Sequence, residues 1–201
     1  MDIDLNILRD IAYQCACRHG FHNEEKSNEH FLVLTITEVA EAIEADRKNK
    51  RADISMFSRY SLNNIDLSVS RSNADFSNYF DKYIKDSVED EMSDIVIRLL
   101  DLAGLRGIDV TLTDATLTIV RESFFSHYEF TTVAYHLIGL LHPNRYTEME
   151  NLHDFICSAI SYVFLWSKHL KFDLYQHINW KMEYNELRPK YNVDILSHLK
   201  G

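Results

Sequence analysis

The sequence predicts an all-α protein built as a helical bundle. Three observations carry this. Five glycines and two prolines in 201 residues leave few sites for tight turns, which disfavours β-sandwiches, barrels and Gly-rich phosphate loops. Apolar residues recur at spacings of three and four over long stretches, the period of a helix with one buried face. Helix stops and starts (Gly20, Ser27, Gly107, Pro143) punctuate those stretches. Hydrophobic residues at 46% and charged residues at 26% are the proportions of an ordinary globular chain.

The elements follow in order. Residues 3–19 place Ile3, Ile7, Leu8, Ile11 and Cys15 on one helical face, and Gly20 suits the left-handed residue that ends a helix. Residues 28–49 form a second helix, capped by Ser27 or Asn28, with Phe31, Leu34, Val39 and Ile43 on its stripe. Over residues 51–79 the period fails and serine becomes frequent, so a long loop with at most short helical turns is expected. A third helix spans about 80–106, stopped by Gly107. Helices at about 112–125, 127–142, 146–171 and 173–188 follow, with a break at Pro143-Asn144. One all-α domain over 1–201 is expected, with an acidic half over 1–110, a second half over 111–191 and a loose tail over 192–201.

The formal net charge of −10 argues against nucleic acid as a partner, which calls for a basic face. An anionic small ligand is compatible with it when a cation mediates the contact. Cys15, Cys17 and Cys157 are odd in number and lack zinc spacing, so reduced thiols are expected. Met1-Asp2-Ile3-Asp4 has no apolar signal region. The most apolar run, Phe155 to Trp166, is too short for a bilayer. The expectation is a cytoplasmic protein without a membrane partner.

Two acidic motifs carry the chemistry. Glu38 and Glu41 stand three apart on the second helix, and Glu91 and Asp94 repeat the spacing on the third. Each pair shares one helical face beside apolar neighbours. Carboxylates gathered from two antiparallel helices repel one another, so some must protonate or share a counter-ion. Hard oxygen ligands suit Mg²⁺, with Mn²⁺ as a substitute. A di-iron centre calls for two Glu-x-x-His pairs, and only Glu150-Asn151-Leu152-His153 has that form. Near the end of the chain Lys181, Asn185 and Arg188 lie at i, i+4 and i+7, one stripe of one helix. A lysine, an amide and an arginine so placed suit a polyphosphate and a base or sugar edge. Arg47-Lys48-Asn49-Lys50-Arg51 adds a second basic cluster.

These three elements together resemble the all-α nucleoside triphosphate pyrophosphohydrolases of the MazG-like superfamily, which includes dCTP pyrophosphatases and dimeric dUTPases. The hallmark is a helical ExxE, then ExxD, then Lys-Met-x-x-Asn-x-x-Arg; here these are Glu38/Glu41, Glu91/Asp94 and Lys181-Met182-x-x-Asn185-x-x-Arg188. The resemblance implies Mg²⁺-dependent cleavage of a nucleoside triphosphate between its α- and β-phosphates. It implies that Glu38, Glu41, Glu91 and Asp94 hold metal, with Glu38 or Glu41 orienting the attacking water. Lys181, Arg188 and Lys48 would then meet phosphate and Asn185 phosphate or sugar, while Tyr191, Phe57 or Tyr60 would stack on the base. Relatives with one unit per chain assemble through helices, so a homodimer is the default expectation.

Two departures from the family pattern stand out. The spacer between Glu41 and Glu91 is long, and Lys181 lies far downstream of Asp94 instead of directly after its helix. A fused, degenerate pair of units accounts for the second. The first half keeps the acids, the second keeps the Lys/Asn/Arg tail, and one composite site results. The competing expectations are an all-α dUTPase and a non-catalytic interaction protein that retains the fold.

Overall fold

Helix starts in this chain are set by side chains that accept a backbone N–H left without a partner in the first turn. In the computed structural model, which describes residues 4–62, 72–112, 122–142 and 149–189, Asp4 caps α1 (Leu5–Arg18) and Ser27 caps α2 (Asn28–Arg47). Ser72 caps α4 (Asn73–Tyr83), Ser87 caps α5 (Val88–Arg106) and Asp173 caps α9 (Leu174–Leu187). The other described helices are α3 (Ile54–Leu62), α6 (Glu122–His127), α7 (Phe130–Leu141) and α8 (Met149–Leu170). The described residues contain no strand, and the protein is all-α. No helix among them is long and apolar enough to cross a membrane.

The α5 helix is the hub. Met92, Ile95, Val96, Leu99, Leu100, Leu102 and Ala103 are fully buried on it. Val88 at its start donates to the Lys50 carbonyl just past α2 (3.1 Å), while Arg106 at its end donates to Asn28 Oδ1 at the start of α2 (2.7 Å). The two helices therefore run antiparallel. The first helix also runs against α5, with Arg9 donating to the Ile108 carbonyl (2.9 Å) and Val110 N–H to Asn6 Oδ1 (2.8 Å). The approach is so close that a Cβ on Gly104 would lie 2.5 Å from the Tyr13 side chain. Gly107 ends α5 at φ 65°, where glycine carries no steric cost. Helices α7 and α8 extend the same apolar cluster, which runs from Leu5 to Met182.

The segment expected as a loop differs from expectation. Residues 51–79 contain α3 and most of α4, and the helix expected to begin at 80 is instead broken at 84–87. The reason is a second, aromatic core. Phe57, Phe76 and Phe80 are fully buried against Trp180 and Tyr184 of α9, with Tyr184 stacked on Phe80 at 4.4 Å between ring centroids. Phe57, expected to be a base-stacking candidate, is thus core. Asp86 turns the chain at φ 57°, and its N–H donates to Asp90 Oδ2 (2.9 Å) as α5 starts.

The imidazole of His177 lies between the rings of Phe172 and Trp180, 1% exposed, with neither ring nitrogen hydrogen-bonded among the described residues. Burial lowers its pKa to about 4. The unfolded chain takes up this proton near 6.5, so the stabilisation from a neutral His177 is complete above 6.5 and is lost as pH falls toward 4. We expect the unfolding free energy of wild type, relative to His177→Phe, to drop by about 3 kcal/mol between pH 7 and pH 4. Parallel urea titrations of both proteins check this; a pH-independent difference would contradict it.

Candidate functional site

Helices α1, α2, α5 and α9 enclose a cavity of about 380 Å³. Its acidic wall comes from the antiparallel α2–α5 pair. Glu38, Glu91 and Asp94 each bring a carboxylate oxygen to within 4.8 Å of the others. Glu41 lines the same cavity without joining that triad. The opposite wall is α9, which brings Lys181, Asn185 and Arg188 to the cavity together.

Charge balance here is finely divided. Lys181 Nζ donates to both Asp90 oxygens (2.9 Å each) and pairs with Asp94 Oδ2 (2.7 Å). Burial pulls the Lys181 pKa down, but Asp94 and Asp90 overcome this and hold the ammonium firmly charged. Burial raises the Asp90 carboxyl, against the opposing pull of Lys181. Arg98 Nε donates to Glu38 Oε1 (3.0 Å). The Glu38 pKa is nevertheless raised, first by burial and then by Asp94. Among the described residues Glu91 has no ion-pair partner, and burial and the neighbouring aspartates push its pKa up more than Lys181 pulls it down. Burial, with Asp90 and Asp94 adding to it, pushes its pKa up to about 8. Three carboxylates packed this closely, one of them protonated at neutral pH, form an oxygen-donor set fitted to a hard divalent cation.

The backbone explains the placement. Glu91 and Asp94 lie in the first two turns of α5, Ser87 accepts from Asp90 N–H (3.2 Å), and Glu89 accepts from Ala52 N–H (2.9 Å). The first turn is thereby tied to both the cap and the α2–α3 connection. Negative charge at a helix N-terminus is also favoured by the helix dipole. On α9, the Asn185 side-chain oxygen is buried and has no hydrogen-bond partner among the described residues. A buried acceptor left unpaired is costly, and this one belongs to a side chain at the cavity wall.

The remaining expected site residues fall elsewhere. Lys48 is exposed at the end of α2, pairs with Glu44 Oε1 (3.0 Å) and is not part of the cavity wall. Lys85, from the turn before α5, lines the cavity instead, because the break at 84–87 folds that turn back over the acids. Tyr191 lies outside the described residues, as does the Tyr60 side chain.

Three residues at the site were missed in the sequence. Arg98 is four residues past Asp94 and seven past Glu91, on their face, so helical spacing alone could have found it. Asp101, seven past Asp94, carries the same signal. Asp90 had no local signal. It is next to Glu91 in sequence and takes its role from a lysine 91 residues away.

No family model matches the sequence, and no curated protein or solved structure matches it significantly.

Proposed function

We propose that this protein hydrolyses a nucleoside triphosphate to the monophosphate and pyrophosphate with a divalent metal, Mg²⁺ or Mn²⁺. The observation that carries the proposal is the Glu38–Glu91–Asp94 triad facing cationic and amide side chains of α9 across one cavity. Neither half suffices alone: carboxylates by themselves repel a triphosphate, and cations by themselves do not gather a hard metal.

Glu38, Glu91 and Asp94 would hold the ion, with Glu41 beside them to join the ligand set or to orient a water. Bound there, a divalent ion supplies Lewis-acid charge to phosphate oxygens and lowers the pKa of water. Lys85 and Arg188 sit on the cavity wall where they can bind phosphate charge. Lys181 holds Asp94 in place and neutralises part of the acidic wall. Asn185 lines the same wall, with an amide that can donate to phosphate or sugar. Arg98 fixes one Glu38 oxygen and so orients the carboxylate on the cavity wall. The long separation of Lys181 from Asp94 in sequence fits a composite site in a fused pair of units. We also place the protein in the cytoplasm, on its three free cysteines. A homodimer is proposed from exposed Ile7 and Ile11 on α1, and light scattering tests it.

The test is a panel of ribo- and deoxyribonucleoside triphosphates with Mg²⁺, read for pyrophosphate. Release with Mg²⁺ and none with chelator supports the proposal. Orthophosphate in place of pyrophosphate overturns α–β cleavage. One observation favours a second, non-catalytic reading: Lys181 is ion-paired with both Asp90 and Asp94, so part of the acidic wall has a structural partner within the chain. Silence across the whole panel would select it.

A further inference from the structure

The cavity continues beyond the acidic triad along the same face of α5, about two turns farther on. Ile97, Arg98 and then Asp101 line it, and α1 contributes Ala12, Cys15 and Ala16. Asp94 and Asp101 are seven residues apart, so they face the same way, separated by a rise of about 10 Å. That is the length of a nucleoside from its 5′-phosphate to the far edge of its base. Ala12 and Ala16, one turn apart on α1, carry the smallest side chains available there and leave room for a flat ring.

Asp101 is 6% exposed, and its orientation is locked. His22 Nε2 donates to Asp101 Oδ1 (2.7 Å), and the His22 ring is itself held by Tyr13 and Phe31 at centroid distances of 5.2 and 5.6 Å. Among the described residues, Asp101 has no second hydrogen-bond donor. Burying a carboxylate is expensive unless it is hydrogen-bonded. One oxygen is satisfied by His22; the other is available to a donor brought by a ligand.

We infer that Asp101, positioned by His22, reads the base of the bound nucleotide and selects one with an exocyclic amino group at the edge distal to the sugar. Cytosine and adenine present an N–H₂ at that edge, and a carboxylate accepts from it. At the position of that amino group uracil, thymine, guanine and hypoxanthine carry a carbonyl oxygen, which repels a carboxylate set opposite it. The inference rests on the nucleotide reading of the cavity but extends it from a reaction to a substrate class. It also separates this chain from a uracil-specific enzyme.

Two matched pairs isolate the amino group: ATP against ITP, and CTP against UTP. With wild-type protein and Mg²⁺, kcat/KM for pyrophosphate release should favour the amino member of each pair by about tenfold or more. Asp101→Asn keeps the bond from His22 through its carbonyl oxygen but offers the base an N–H. Both ratios should then fall toward one or invert, a change that a merely structural role for Asp101 would not produce. Calorimetric binding of the α,β-non-hydrolysable analogues of the four nucleotides is the parallel arm. If these bind in the predicted order while nothing is hydrolysed, the hydrolytic reading fails and the base assignment stands. If hydrolysis proceeds with equal or reversed ratios, the base assignment is overturned and hydrolysis stands. Absence of binding by every analogue overturns the base assignment as well. Should Asp101→Asn not fold, the wild-type ratios decide alone.

Discussion

If the proposed reaction holds, Glu91→Gln is expected to lower pyrophosphate release by about a thousandfold or more while leaving the fold intact. A metal ligand's loss removes several kcal/mol of transition-state stabilisation, and each 1.36 kcal/mol is a factor of ten in rate. The fold survives because of the Glu91 environment. With a pKa near 8, the side chain carries a proton at neutral pH when no cation is bound. Glutamine has the same shape and the same neutral charge. The sign of the stability effect follows. A carboxyl raised in the folded chain contributes fully below its unfolded value of about 4.5 and loses that contribution as pH climbs through 8. Without metal, Glu91→Gln therefore becomes progressively more stable than wild type across that window. Asp94→Asn should match the loss of rate, but it also deprives Lys181 of a partner and is the less clean variant. Urea unfolding at several pH values, beside the pyrophosphate assay, checks both parts. Near-normal turnover in folded Glu91→Gln would remove the metal site from the proposal.

Lys181→Met has the largest expected effect on stability, a loss of about 3–5 kcal/mol. Asp90 is 1% exposed, and its cationic partner is Lys181, with a further hydrogen bond from the Asp86 N–H. Removing the ammonium forces buried Asp90 either to keep an unpaired charge or to take up a proton, and breaking a buried pair from one side is far worse than removing both partners. Two consequences separate this from a packing effect. The double variant Lys181→Met/Asp90→Asn should regain most of the loss. The single variant's deficit should also shrink as pH falls, because Asp90 then takes up a proton and ceases to need a partner. Thermal or urea unfolding of the three proteins tests this; a Lys181→Met protein as stable as wild type would contradict it.

Both predictions depend on residues that the sequence revealed to different degrees. Glu91 and Asp94 were legible because an i,i+3 pair beside an apolar stripe has few arrangements open to it. Lys181 and Asn185 were legible as a stripe on one helix, but nothing local tied that stripe to acids some ninety residues earlier. Asp90 was hidden by its neighbour: adjacent helical residues point about 100° apart, and the sequence does not say which of the two faces a given cavity. Lys48 was expected and Lys85 was not, since the choice between them depends on a turn at 84–87 that folds over the acids.

The same division holds for the fold. Helix periods, serine and aspartate caps and the Gly107 stop are local properties, decided within a few residues by hydrogen bonding and backbone sterics, so the all-α class was available from the sequence. The 51–79 segment was not, because its helices are short and gain their order from Trp180 and Tyr184, more than ninety residues away. The sequence by itself determined the all-α class, the longer helices α1, α2 and the last helix, the two acidic motifs and the basic stripe. Only the tertiary structure decided that α2, α5 and α9 meet around one cavity, that Lys181 reaches Asp94, and that Asp101 points into the same space. Those outcomes come from burial of apolar faces that lie far apart along the chain, and such burial favours no partner until the whole bundle has formed.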